Sequence, residues 1–490
     1  MKSNQLKWTI VFFLVLGLSE PVLVRAQKGG QAGGGVNSVA VQTDGRRALP
    51  VEKRNVRSHM DFLASDALQG RGSGTQFELI AGQYLASQME QFGIEPAGDA
   101  LPSGGKSYIQ TVKIVENSFA ELPKLTFNSG DAAVSFEHGR EMLVFRLFSE
   151  KTAGPLQRIG PDGKIEKGAV VFFRAKEGGE VSRSDLGRLM ESGASAVIIE
   201  ETPQWRAGWE RAAARKVSFT TISGSGENSR GALVIISKEA AETLDRTDEG
   251  TRIEIGGKLD EPAIRHTWNA VGMLPGSDPR RASEVILLSA HMDHLGVRGE
   301  GVDKIFNGAD DDASGCVAVL ELARSLAAGA ERPKRTVYFA FFGSEEAGGF
   351  GARYFIDNLP FSKEKLIANL QFEMIGRPDA KVGKDELWLT GFELSNLGEE
   401  LAKNGAKLVQ DPHPEQNFFR RSDNYTLARQ GVVAHTVSSF GLHKDYHQAS
   451  DEIETIDFDF MTRAINSMVE PVRWLVNSDF KPAWYEGKRP

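Results

Sequence analysis

Residues 285–296 read Val-Ile-Leu-Leu-Ser-Ala-His-Met-Asp-His-Leu-Gly. The run 285–289 lacks the polar alternation of a half-solvated strand, which predicts a strand covered on both faces, as in a parallel sheet. It then breaks into His291, Met292 and Asp293. In open α/β sheets ligand sites gather beyond the carboxyl ends of the strands, so chemistry is expected at this junction.

Outward from it, further strands are predicted at 336–342, 366–372, 386–390 and 432–437, and helices over 314–326, 394–404 and 460–476. This alternation from about residue 263 predicts a mixed, mostly parallel α/β sheet with helices on both faces. The other strand ends repeat the first one's pattern. The run 336–342 leads to Glu345-Glu346, 366–372 to Glu373, and 432–437 through a loop to Tyr446-His447, while Asp310-Asp311-Asp312 stands just ahead of the helix near Ser314. Asp311, Glu345, Glu373 and His447 follow His291 by 20, 54, 82 and 156 residues, so only folding can gather them.

Upstream, Ala81, Leu85, Met89 and Phe92 recur at helical spacing until Gly93 stops the pattern, within a helical part expected over 51–111. The stretch 112–255 changes to short β-rich runs, with strands expected at 169–174, 196–200 and 232–237 and a helix carrying Leu186, Leu189 and Met190. It holds no cluster of His and carboxylates, and a lid, spacer or binding role is expected of this small α/β unit. No repeat at a fixed period is visible, which excludes solenoids and propellers.

At the N-terminus Lys2 and Lys7 precede an apolar run over 8–18, and Val24 and Ala26 occupy the small-residue positions before Gln27. Residues 1–26 therefore read as a secretory signal peptide, too short in its apolar part to span a bilayer, and export to a periplasm or beyond the cell is expected. The glycine-rich 27–50 is expected as a flexible leader.

The 490 residues carry a formal charge of −8 and 25% charged side chains, an average globular composition without the basic field that nucleic acid as a main partner requires. The single cysteine, Cys316, cannot form an intrachain disulfide and reads as a buried small apolar residue rather than a nucleophile. Stability must come from packing and metal ligation.

Two His and three carboxylates make a donor set that suits Zn²⁺ and also accepts Co²⁺ or Mn²⁺. The expected arrangement has Asp311 bridging two Zn²⁺ ions, one also held by His291 and Glu373, the other by Glu346 and His447, with a shared water between them. Glu345 is then free to act as general base on that water and to return the proton to the leaving amine. Asp293, two residues from His291, is placed to accept its second ring N–H. Tyr446 is a candidate donor to the developing oxyanion.

Each residue also has a plainer reading. His294, His435, His413, His59 and His266 are expected as satisfied structural histidines, and Asp310 and Asp312 as helix-capping and dipole-compensating groups. Glu345 and Glu346 cannot be a solvated edge if 338–342 is a central strand, because adjacent carboxylates there are costly without cations. Phosphate-loop, dinucleotide, nucleophile-elbow and His-Glu-x-x-His patterns are all incomplete or missing.

Taken as blocks, 291–296 (HMDHLG), 307–315 (NGADDDASG), 343–346 (GSEE), 372–376 (FEMIG) and 445–447 (DYH) together resemble the M28 family of co-catalytic zinc aminopeptidases, in the family's order. The resemblance implies a phosphorylase/hydrolase-like α/β/α sandwich, two Zn²⁺ ions, and removal of N-terminal residues from peptides with a free N-terminus. The aspartate three residues before the Ser-Gly pair, here Asp311, takes the bridging role. Residues 56–99 are similar to the helical lead-in of exported members, and 112–255 to an inserted protease-associated domain, leaving 256–490 as the peptidase proper. Two departures stand out: Glu373 where many members have aspartate, and Asn424 after Ser422-Asp423 where many have histidine. A carboxypeptidase or dipeptidase on the same scaffold, and a non-catalytic receptor-like module, are the competing readings; the last usually loses ligands, and none is lost here. Side-chain preference and oligomeric state are not encoded in these motifs.

Overall fold

The computed structural model describes residues 49–174, 181, 183–225, 231–329 and 331–490. The signal peptide and most of the leader expected over 1–50 lie outside the described residues.

Four strands form the centre of the sheet. Thr336–Phe342 pairs in parallel with Val285–His291, which pairs in parallel with Leu366–Phe372, which pairs in parallel with Val433–Ser438. Beyond Val433–Ser438 lie the antiparallel Leu387–Leu389 and then Leu408–Gln410; beyond Thr336–Phe342 lie the antiparallel Ala263–Leu274 and Ile109–Ser129. The sheet is thus mixed, with its parallel part in the middle.

The two-residue period of a strand explains why these runs are largely apolar on both faces. Ile286, Leu288 and Ala290, with Val337, Phe339 and Phe341, face one core, shared with the helices Gly315–Ala327 and Phe458–Asn477. Val285 and Leu287, with Tyr338, Ala340 and Phe342, face the other, shared with Phe350–Asp357 and Asn424–Arg429. Alternate side chains feed opposite cores, so no position in the strand can be polar without a partner. In Phe458–Asn477 the buried Met461, Ile465, Met468, Val472 and Val476 recur every three or four residues, and Asp457 caps the first turn by accepting the Phe460 N–H at 2.9 Å.

The N-terminal helices Lys53–Leu63 and Gln76–Gln91 join the first of these cores through Val56, Met60, Ala81, Leu85 and Met89. Gly93, at φ 75°, ends the second helix in a conformation that favours glycine.

Ile109–Ser129 belongs to two sheets. Its first half pairs with Ala263–Leu274; its second half pairs with Ala132–Glu137 and Arg252–Leu259. Residue 112 therefore lies within a continuous strand rather than a linker. The segment beyond has cores of its own around a sheet in which Ala196–Glu200 lies between Val170–Phe173 and Ala232–Ile236, all parallel. Among the described residues no helix is long and apolar enough to cross a membrane.

Candidate metal centre

The carboxyl ends of the central strands converge on Asp311. Its Oδ1 lies 3.1 Å from His291 Nε2 and its Oδ2 lies 3.2 Å from His447 Nε2. One carboxylate thus faces two imidazoles from residues 156 apart in the chain. His291, Asp311 and Glu373 offer donor atoms within 4.8 Å of one another. On the other side, Glu346 Oε1 lies 3.2 Å from His447 Nε2. The ligand partition expected from the sequence is therefore possible in space.

Asp311 is held by its backbone. Asp451 accepts the N–H groups of Asp310 at 3.1 Å and Asp311 at 3.0 Å, and is itself paired with Arg377 at 2.7 Å. The flanking aspartates correct the capping expectation. Asp310 Oδ1 accepts the Gly376 N–H at 2.8 Å, and its Oδ2 lies 2.9 Å from His443 Nε2. Asp312 does reach the helix start by accepting the Gly315 N–H at 2.9 Å, but it also accepts those of His291 and Met374, both at 3.2 Å. These two buried carboxylates chiefly tie neighbouring strand ends together, because backbone donors there have no other partner.

Asp293 also differs in detail from expectation. His291 Nδ1 is 3.2 Å from the Asp293 carbonyl oxygen and 3.7 Å from its Oδ1. The carboxylate instead accepts the N–H of Glu345 at 2.9 Å and of Glu346 at 3.3 Å, and the Ser73 hydroxyl. It orients the glutamate pair more directly than it orients the imidazole.

Two charged residues from the N-terminal part close the centre, and the sequence reading gave neither a role there. Arg71, buried, donates to the carbonyls of Met292 at 2.9 Å, Leu63 at 2.7 Å, Asn307 at 2.5 Å and Gly308 at 3.0 Å. Glu78, fully buried, accepts the Ser344 N–H at 2.8 Å and the Thr267 hydroxyl, which fixes the turn before Glu345. Gly70-Arg71 belongs to the stretch that resembles the lead-in of exported family members, a likeness that gives Arg71 no role at the centre.

The structure also brings His294 into the centre, against its expected role elsewhere. Its Nδ1 is 3.0 Å from Glu346 Oε1 and 3.8 Å from Asp311 Oδ2. The other four histidines stay apart from the cluster: His59 meets Tyr84, His413 meets Asp379, His435 lies between Thr390 and Ser395, and His266 is exposed. Cys316 is buried, its thiol 3.2 Å from the His291 carbonyl oxygen.

Charge at the site is unbalanced. Burial raises the Glu345 pKa well above the ordinary value, and the nearby Asp423, Glu373 and Glu346 raise it further. Burial also raises Glu373, and lifts Asp423 to about 8. Burial alone would lower His447, but the Asp311 and Glu346 carboxylates, each 3.2 Å from its Nε2, carry it up to about 9. So many buried carboxylates gathered at one point are the electrostatic signature of a cation site. Glu346 Oε1 and both ring nitrogens of His294 are buried with no hydrogen-bond partner, and the donors are the nitrogen and oxygen types that Zn²⁺ takes. The residues present fit divalent ions.

Beside Glu373 opens a small recess whose aromatic wall is Trp388, Phe418, Phe440 and Tyr446 and whose polar wall includes Arg421, Ser422, Thr390, Thr436 and Ser438. Trp388 and Phe418 stack at 5.4 Å, and the Tyr446 ring lies on His447 at 3.9 Å. Burial raises the Tyr446 pKa, which keeps its hydroxyl a donor. Arg421 lies over the Phe418 ring at 4.9 Å and 3.4 Å from the Tyr446 hydroxyl.

Residues 269–471 match the model of peptidase family M28. Among curated proteins the chain is similar to leupeptin-inactivating enzyme 1 of Streptomyces exfoliatus, 33% identical over 26% of this chain and 29% of the relative. It is also similar to an aminopeptidase of Pseudomonas aeruginosa, 36% identical over 23% of this chain and 19% of the relative, and to a probable leucine aminopeptidase 1 of Trichophyton verrucosum, 26% identical over 41% and 56%. In each case the alignment spans less than two thirds of the relative's length. Among solved structures, an aminopeptidase from Aneurinibacillus sp. strain AM-1 superposes with a TM-score of 0.51 at 18% identity, covering 87% of this chain and 94% of that one; this likeness shows the fold.

Proposed function

We propose that this chain, whose residues 269–471 match the model of peptidase family M28, is a zinc-dependent aminopeptidase of that family that removes N-terminal residues from peptides. The observation that carries the reading is the Asp311 carboxylate, with one oxygen on His291 and the other on His447. Two divalent ions held by His291, Asp311 and Glu373 and by Asp311, Glu346 and His447 would polarise the scissile carbonyl and acidify the attacking water. Glu345 takes the proton from that water and delivers it to the leaving amine nitrogen. Tyr446 donates a hydrogen bond toward the developing oxyanion. The sequence of residues 1–26 supports export, and we assign 112–255 the role of a protease-associated lid or spacer.

The aromatic wall of the recess, Trp388, Phe418, Phe440 and Tyr446, supports an apolar residue at the substrate's N-terminus. Burying such a side chain is worth about 1.5–3 kcal/mol, so leucine amide should exceed alanine amide by about tenfold or more in kcat/KM. A panel of aminoacyl amides with the zinc-loaded protein tests this, and turnover of amino-blocked substrates at the same rate as free ones would overturn the aminopeptidase reading. Arg421 has no carboxylate partner among the described residues, which favours a second reading, a dipeptidase that binds the substrate's carboxylate. Cleavage of Leu-Gly but not leucine amide would select it.

Zinc binding should release protons. His447 is raised to about 9 and Glu345 and Glu373 are also raised in the metal-free protein, so below these pKa values protons compete with the ion. Affinity therefore rises with pH and falls in acid. Calorimetric titration near neutral pH in two buffers of different ionisation enthalpy should show net proton release; identical heats in both buffers would contradict the ligand assignment.

A further inference from the structure

We propose that His294 is a fourth protein ligand on the His447 side, giving that ion a closed set of Asp311, Glu346, His447 and His294, while the ion on the His291 side keeps an open position. This rests on the two-ion reading and adds a third imidazole to it.

The His294 side chain is fully buried and neither ring nitrogen has a hydrogen-bond partner, a costly arrangement for an imidazole that meets nothing else. Its Nδ1 comes within 3.0 Å of Glu346 Oε1, yet that oxygen also lacks a hydrogen-bond partner. The two atoms lie as close as ligands of a common centre do.

The spacing of the set supports the same point. His294 Nδ1 is 3.0 Å from Glu346 Oε1 and 3.8 Å from Asp311 Oδ2, and His447 Nε2 is 3.2 Å from each of those oxygens. Ligands at about 2.1 Å from a tetrahedral Zn²⁺ stand about 3.4 Å apart, and these four edges bracket that value.

The imidazole is also held in place from outside. The His294 N–H donates to the Arg71 carbonyl at 3.1 Å, and Arg71 in turn holds the carbonyls of Asn307 and Gly308. Gly308 adopts φ 57°, and a Cβ there would stand 2.5 Å from His294 Cγ and 2.2 Å from the Asp311 carbonyl oxygen. Only glycine lets the backbone lie this close to the ring. With four protein donors the His447-side ion resembles a structural site, and with three the His291-side ion has room for water or substrate.

X-ray absorption on the zinc-loaded wild type should count about three imidazoles over two ions, since each coordinated His contributes a resolved ring signal. His294→Phe, which keeps the volume, should retain its helical circular dichroism but lose one zinc per chain on dialysis, and binding at that site should weaken by more than the about hundredfold that an outer hydrogen-bonding partner contributes. One imidazole per zinc in the wild type, or a folded His294→Phe that keeps both ions at wild-type affinity, would overturn the assignment. A wild type that holds fewer than two ions overturns the two-ion reading itself, and this one with it. If the variant does not fold, the imidazole count in the wild type decides.

Discussion

Glu345→Gln, loaded with zinc, is expected to fold and hold its metal like the parent while kcat falls by at least about a hundredfold, the lower end of what a positioned acid/base contributes. The amide keeps the size of the side chain and the backbone hydrogen bond from the residue 345 N–H to Asp293, 2.9 Å in the parent, so the turn should survive. What it loses is the ability to take a proton. The raised pKa of Glu345 stems from burial and from Asp423, Glu373 and Glu346 around it, and bound cations will draw it down again. The acid limb of the wild-type pH profile should therefore disappear in the variant's residual rate. Turnover within a few-fold of the parent would remove Glu345 from its role.

Asp311→Ala is expected to be the most damaging single change in the centre. Burial alone would raise the Asp311 pKa, but His291 and His447 hold it well below the usual carboxylate range. The residue is thus an anion in the metal-free protein, with each oxygen committed to a different imidazole. Without it both ligand sets lose a member and the two His lose their common counter-charge. Metal ions contribute several kcal/mol to such transition states, and about 4 kcal/mol corresponds to about a thousandfold in rate. The variant should keep at most traces of zinc after dialysis, read by elemental analysis, and lose at least that factor in activity. If only one zinc is lost, Asp311 is a terminal ligand and the bridge is elsewhere.

The sheet and much of its chemistry were legible in the sequence because the central parallel strands are largely apolar on both faces, so the ionisable side chains just past their ends stand out. His291, Glu345, Glu346 and Glu373 stand at or within four residues of such strand ends, whereas His447 is reached only across the loop after Val433–Ser438. Asp311 could be separated from Asp310 and Asp312 only by resemblance, because the three are chemically identical and their division of labour is set by partners as remote as Gly376, His443 and Asp451. His294 was misplaced because a histidine three residues beyond another gives no clue to its direction once the chain leaves the strand. Arg71 and Glu78 went unread for a related reason. Their burial is visible only when the N-terminal helices are packed on the sheet, and long-range packing has no period in the sequence.

Arg71 carries one more consequence. The stretch that matches the peptidase family begins at residue 269, whereas the guanidinium that gathers the Met292, Asn307 and Gly308 carbonyls comes from some two hundred positions earlier. An excised 269–471 polypeptide would leave those three acceptors bare and the Ser344 amide without Glu78. Neither a truncated gene nor a chimaera that borrows only the matching stretch carries a self-sufficient unit; the leading helices have to travel with it.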